Sequence, residues 1–249
     1  MSRRIRGVDG PHAEATLVTG GAPVAAAEVA VVLVHGRGGT AEGLVRLADE
    51  FYRSGATLLA PGTVRSTWFS APHEAALSAN EPALTSAVDC VAAAVDVARD
   101  AGVPPERVVL VGVSQGGAVV AEFLRRRPDR YGGAFVVSAA LPGDDLDSRA
   151  LDAAEDTEGD EGDGTGDGNG GDRGAGSDDD GSLAGTPVAL DSSEDDPYVP
   201  AERVRATARV FERAGGAVEC RIDPGDGHGL SDATMDRIGE RIAGLLDED

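Results

Sequence analysis

The apolar run Val108-Val109-Leu110-Val111 passes straight into Gly112-Val113-Ser114-Gln115-Gly116, and an amphipathic stretch follows as far as Arg125-Arg126-Arg127-Pro128. A strand, a sharp turn and a helix in that order limit the chain to architectures in which strands feed helices, and the G-x-S-x-G pattern lifts a serine hydroxyl onto the turn. A serine hydroxyl is a weak nucleophile at neutral pH. It becomes a strong one when a base takes its proton and nearby N–H donors hold the oxyanion that its attack creates. Small residues at Gly112 and Gly116 let the backbone turn and let strand and helix pack closely. The plainer reading, a glycine-rich turn with an incidental serine, leaves the strand before it and the helix after it unexplained.

Such a serine needs an imidazole and a carboxylate, and both lie downstream. His228 is the only histidine after Ser114, so the base follows by elimination. It sits in Pro224-Gly225-Asp226-Gly227-His228-Gly229, a turn-rich loop after the strand-like Val218-Glu219-Cys220-Arg221-Ile222. A histidine there can reach across the end of a sheet; the plainer reading is a solvated loop side chain. The acid is less sharply marked. The strand-like Pro187-Val188-Ala189-Leu190-Asp191 leads into Ser192-Ser193-Glu194-Asp195-Asp196-Pro197-Tyr198-Val199-Pro200. Asp196 is favoured because Pro197 fixes the local backbone and restricts the residue before it, which suits a carboxylate that must hold an imidazole in one tautomer. Asp195, Glu194 and Asp191 compete with it, or are solvated loop charges.

An oxyanion hole completes such a site. One donor is the backbone N–H of Gln115, at a helix N-terminus. The second is expected from His35-Gly36-Arg37-Gly38-Gly39-Thr40, the glycine-rich loop after the strand Val29-Ala30-Val31-Val32-Leu33-Val34. Arg37 is the leading candidate, with Gly36 and Gly38 as alternatives. His35 lies upstream of the serine and reads as a loop-ordering residue.

With these motifs in place the chain resembles the phospholipase/carboxylesterase family of α/β-hydrolases, over roughly residues 14 to 247 apart from one insertion. The resemblance rests on His35-Gly36-Arg37-Gly38-Gly39, Gly112-Val113-Ser114-Gln115-Gly116-Gly117, Asp196-Pro197-Tyr198-Val199-Pro200 and Gly227-His228-Gly229. It implies Ser114, Asp196 and His228 as the catalytic triad, Arg37 and Gln115 as oxyanion donors, and Trp68, Phe69 and Leu141 at the substrate pocket. The chain departs from the family pattern at Arg37, where an apolar residue is usual, and at Ser192-Ser193, where His-Gly is usual. Dienelactone hydrolases, an adjoining branch, use a cysteine nucleophile, so Ser114 sets this chain apart from them.

Composition sets the surroundings. The 249 residues carry a net charge of −22 from 22 basic and 44 acidic residues, and every basic residue is arginine. Such an excess keeps a protein soluble through self-repulsion, and on Coulomb grounds it makes nucleic acid and anionic membranes poor partners. With aromatic residues at 4 %, the chain reads as a cytoplasmic protein of a salt-accumulating halophile. Two cysteines, Cys90 and Cys220, give no disulfide framework and are expected to be small buried residues. Arg3-Arg4 lacks the apolar run that a twin-arginine signal needs, and no 18-residue apolar stretch is present to insert into a membrane.

Strand-like and helix-like segments alternate, predicting an α/β fold with a mostly parallel, doubly wound sheet flanked by helices. Ala15–Thr19 reads as the opening edge strand, 41–54 as a helix with Leu44, Leu47, Ala48 and Phe51 on one face, and 56–60 as a short strand. Helices are expected over 82–101, 200–214 and 230–246. Three consecutive arginines at 125–127 are read as complementing a helix C-terminus rather than as a nucleic-acid patch. The pattern breaks at about 144–185. Residues 159–185 contain 11 glycines among aspartates, too little apolar surface to offset the entropy of ordering. This reads as a disordered acidic insertion in a single domain, 1–249, with no folded cap. The Asp-Gly repeats lack EF-hand spacing, so no calcium site is assigned.

The expectation is a serine carboxylic-ester hydrolase that works through an acyl-enzyme on a small-molecule ester, as a monomer or homodimer, with no metal or organic cofactor. An acyl thioesterase with the same triad is the nearest alternative. A non-catalytic α/β-hydrolase-like binding protein is the alternative from another class, and such proteins usually lack a triad member.

Overall fold

The computed structural model describes residues 2–149, 182–183 and 185–248. Among them, strands β1 (Ser2–Arg4), β2 (Thr16–Gly21), β3 (Val29–Val34), β4 (Ala56–Gly62), β5 (Val108–Val113), β6 (Gly133–Val137), β7 (Pro187–Ser193) and β8 (Ala217–Asp223) form one sheet in the order β1-β2-β4-β3-β5-β6-β7-β8. β1 and β2 run antiparallel to their neighbours, and every pair from β4 across to β8 is parallel. Helices α1 (Ala41–Leu47), α2 (Ala83–Asp100), α3 (Gln115–Arg126), α4 (Ala201–Arg213) and α5 (Asp232–Asp247) connect the strands. The mostly parallel, doubly wound arrangement is the one that strand–helix alternation predicts.

The central strands are unbroken apolar runs because both of their faces are covered. Along β3, Ala30, Val32 and Val34 pack into the layer under α2, α3 and α4, while Val29, Val31 and Leu33 pack into the layer under α1 and α5. β5 repeats the alternation, with Val108 and Leu110 on the first side and Val109 and Val111 on the second. Two hydroxyl caps fix helix starts: Thr40 Oγ1 accepts from Gly43 N–H at 3.0 Å, and Ser231 Oγ accepts from Thr234 N–H at 3.2 Å. Both satisfy donors that a first helical turn leaves open. Among the described residues, no helix is long and apolar enough to cross a membrane.

Several expectations are corrected. Ser2–Arg4 lies outside Thr16–Gly21, so the opening strand of the reading is not the edge; three exposed residues carry no period-two signal that would reveal them. The helix expected over 41–54 ends at Leu47 and gives way to a 3₁₀ turn at Ala48–Glu50. The tighter turn keeps Ala48 and Phe51 buried and leaves Leu47 at 41 % exposure. Cys90 is buried, but Cys220 is exposed because it lies on the terminal strand. Most of the expected acidic insertion at 144–185 falls outside the described residues. Its described flanks are packed, with Leu146, Arg149 and Leu183 buried.

The arginines at 125–127 also do more than face a helix end. Glu122, fully buried on α3, receives Arg125 at 3.2 Å, Arg126 at 2.5 Å and Arg149. Arg126 continues to Glu81 and to the Thr85 hydroxyl, both at 2.6 Å, and Arg127 pairs with Asp89 at 3.1 Å. The cluster ties α3 to the start of α2 and to the segment after β6. Removing the carboxylate while its arginines stay would strand buried positive charge. Glu122→Gln is therefore expected to destabilise the fold by about 3–5 kcal/mol, on the order of 10 °C in Tm. Thermal unfolding followed by circular dichroism checks this; a Tm within a degree or two of wild type would show that water already neutralises the cluster.

Candidate active site

β5 ends at Val113 and α3 begins at Gln115, so Ser114 alone makes the turn between them. Its backbone sits at φ 54°, ψ −123°, a region that costs a residue with a side chain on the order of 1–3 kcal/mol. Two hydrogen bonds hold it there: Ser114 N–H donates to Val137 O at 2.8 Å, and Ser114 O accepts from Ala118 N–H at 3.1 Å. A Cβ at Gly112 would lie 2.5 Å from Gly116 O, and one at Gly116 would overlap the carbonyl oxygens of Val34 and His35. Backbone contact thus dictates both glycines of the pentapeptide.

Ser114 Oγ lies 2.8 Å from His228 Nε2, and His228 Nδ1 lies 2.8 and 3.0 Å from the two oxygens of Asp196. A carboxylate only accepts, so Nδ1 carries the hydrogen and Nε2 offers its lone pair to the serine O–H. Burial pushes the Asp196 carboxyl upward, but its bond to His228 and the amides of Tyr198 (2.9 Å) and Val199 (3.1 Å) outweigh that and hold it below the usual carboxylate range. The competing acids are elsewhere: Asp191 is bonded to Arg237 at 2.6 and 2.8 Å, and Glu194 and Asp195 are exposed. The histidine loop is anchored where Gly229 N–H donates to Ser138 Oγ at 2.9 Å. Ser138, at φ 47°, is itself in the left-handed region at the end of β6.

The N–H of Gln115 opens α3 and has no intrahelical partner. Arg37 N–H makes no hydrogen bond among the described residues, whereas Gly38 N–H donates to Ser66 O at 2.7 Å. Gly36 lies so close that a Cβ on it would be 3.2 Å from Ser114 Cβ. His35 is buried and stacks against Trp68 with ring centroids 5.0 Å apart. Burial pushes its pKa down, and its Nδ1 bonds only to Gly36 O, at 2.9 Å, which suits a loop-ordering role.

A cleft of about 720 Å³ opens over Ser114, lined on its apolar side by Phe69, Val113, Ala118, Ala139 and Val199. Arg37 and His73 also line it. Phe69 is therefore at the pocket, but Trp68 and Leu141 are not among its lining residues. Trp68 is fully buried behind the wall, donating its indole N–H to His35 O at 2.7 Å. Leu141 is also fully buried, and its N–H donates to Thr207 Oγ1 at 3.0 Å. The Gln115 side chain clamps this wall: its Oε1 accepts from Trp68 N–H at 2.9 Å, and its Nε2 donates to Phe69 O at 2.7 Å. Tyr198, to which the sequence reading gave no role, packs its ring 4.7 Å from that of His228. Its place two residues after Asp196, in a motif already singled out, was the available signal.

Comparison with known proteins places the chain among the hydrolases. The family model described as Serine aminopeptidase, S33 (Hydrolase_4) matches residues 25–155, a span that includes the serine turn. The chain is similar to the crystal structure of a phospholipase/carboxylesterase from Dyadobacter fermentans DSM 18053, with a TM-score of 0.75 and 26 % identity over 91 % of this chain and 95 % of that one. It also resembles Arabidopsis thaliana SOBER1, with a TM-score of 0.64 and 23 % identity over 88 % of this chain and 99 % of that one, a likeness of fold. A probable carboxylesterase of Oryza sativa subsp. japonica is 35 % identical over 85 residues. That match spans only 32 % of the rice protein and 32 % of this chain.

Proposed function

Because the chain belongs to the Serine aminopeptidase, S33 family of hydrolases, we propose that it is a serine hydrolase of carboxylic esters, with Ser114, His228 and Asp196 as its triad. The observation that carries this reading is the line of short contacts from Asp196 through His228 to Ser114 Oγ, at 2.8 Å on each side of the imidazole, beside an open cleft. Ser114 Oγ attacks the acyl carbon while His228 Nε2 takes its proton. Negative charge gathers on the former carbonyl oxygen, where the N–H groups of Gln115 and Arg37 stabilise it. Collapse of the tetrahedral species expels the alcohol, which leaves with the proton from His228. Water, deprotonated by the same nitrogen, then attacks the acyl-enzyme; the acyl–Oγ bond breaks, the acid leaves, and His228 returns the proton to Ser114 Oγ. Asp196 keeps His228 in the tautomer that can accept, and stabilises the imidazolium formed in each half-reaction.

An acyl thioesterase would use the same atoms, since only the leaving group differs. The acidic, lysine-free composition supports a salt-rich cytoplasm as the setting, so assays belong at high KCl. A fluorophosphonate probe is expected to add one label, on the peptide that carries Ser114. In parallel, p-nitrophenyl esters of graded chain length, an acyl thioester and an aminoacyl p-nitroanilide should rank with the oxygen ester fastest. A probe that labels no serine, or a preference for the anilide, would reject the ester reading.

A further inference from the structure

Among the described residues, β8 is the terminal strand on its side of the sheet, and its seven residues are exposed or half-buried. Ala217 N–H donates to Thr186 O and Asp223 O accepts from Glu194 N–H, both at 2.8 Å toward the β7 side. In a parallel ladder each residue directs both main-chain groups to one side, and successive residues alternate. Val218, Cys220 and Ile222 therefore present their N–H and C=O groups to the open edge.

We propose that this edge joins two copies of the chain, β8 against β8 in antiparallel register, about a two-fold axis through Cys220. Cys220 is the middle residue of Ala217–Asp223, and the residues on either side of it complement one another. Val218 meets the partner's Ile222, Glu219 meets the partner's Arg221, and Arg221 meets the partner's Glu219. The outward-facing residues 218, 220 and 222 then form the hydrogen-bonded pairs. Glu219 and the partner's Arg221 fall in the non-hydrogen-bonded pairs, where Cα atoms approach to about 4.5 Å. Within one chain Arg221 already bonds Glu219 at 2.7 Å, and Arg237 bonds the other Glu219 oxygen at 2.6 Å. Pairing would close these side chains into a ring of alternating charge. A slip of one residue sets outward-facing groups against inward-facing ones, and a slip of two sets Glu219 against Glu219 or Arg221 against Arg221. Opposite charges in direct opposition stabilise a strand pair and like charges destabilise it, so the edge selects its own copy and one register. Val218 and Ile222, half-buried against the layer under α4, would continue that layer across the axis.

The test uses the full chain at molar KCl, where the Debye length of about 3 Å screens the repulsion between two acidic molecules. Light scattering after size exclusion is expected to give twice the monomer mass. Arg221→Glu, which sets like charges in direct opposition, should halve it, with circular dichroism confirming that the variant folds. A short bismaleimide is expected to link wild-type chains through Cys220 and to link none in Cys220→Ser, since Cys90 is buried. The crosslink in the wild type decides the matter even if a charge variant fails to fold. A monomeric wild type, a dimer that withstands Arg221→Glu, or a dimer that Cys220 does not link would overturn the proposal.

Discussion

Ser114→Ala is expected to lower kcat by roughly 10⁵–10⁶-fold while leaving the fold and its melting temperature near wild type. In the proposed mechanism this hydroxyl forms the ester bond to the acyl carbon, and its loss also removes the partner of His228 Nε2. Alanine keeps a Cβ, so the backbone strain at φ 54° neither grows nor relaxes. Residual turnover should come from the proposed oxyanion donors, the N–H groups of Gln115 and Arg37, acting on attack by water. Steady-state kinetics on a p-nitrophenyl ester, with circular dichroism beside it, measures both sides of the expectation. Activity within tenfold of wild type would mean that another group attacks the substrate.

Asp196→Asn should cost about 10⁴-fold in kcat, and Asp195→Asn should be close to neutral. The asparagine amide can donate to Nδ1, which would move the imidazole hydrogen to Nε2 and leave nothing to accept the serine proton. Asp195 is exposed and its N–H bonds Gly225 O at 2.9 Å, so its side chain has no such role. The carboxyl of Asp196 titrates below the ordinary range, because its hydrogen bonds outweigh its burial. Its charge is thus fully present above the unfolded value and is lost only as pH falls through the lowered one. Loss of the Asp196 charge should therefore contribute nothing to the wild-type rate profile at or above the ordinary carboxylate range. Equal losses in the two asparagine variants would move the acid elsewhere in the loop.

What could be read from the residues follows the strength of the physical constraint. The strands were legible because burial on both faces leaves continuous Val, Leu and Ala runs, and the serine turn because two glycines must meet backbone within 3 Å. Ser114, Asp196 and His228, singled out from a turn motif, a proline and the lack of another downstream histidine, meet in space. The misses have weaker local signals. Trp68 and Leu141 are apolar residues near the site whose side of the wall no periodicity reveals. Cys220 is apolar in type but sits on the strand that ends the sheet among the described residues, which only the sheet order discloses. Glu122 looks like a solvated helix charge until Arg149, from a separate part of the chain, arrives beside it.

Ser114 and Ser138 both hold left-handed backbone at the ends of adjacent strands, and neither is glycine. Each keeps a side chain in a conformation that glycine would adopt without strain. At 114 the strained residue supplies a hydroxyl over the cleft, and at 138 it supplies the anchor of the histidine loop. Glycine at 114 would relieve the strain but remove the proposed nucleophile, and glycine at 138 would relieve it but leave Gly229 N–H without its acceptor. On the proposed mechanism, the durability of this protein and its chemistry are set against each other at Ser114.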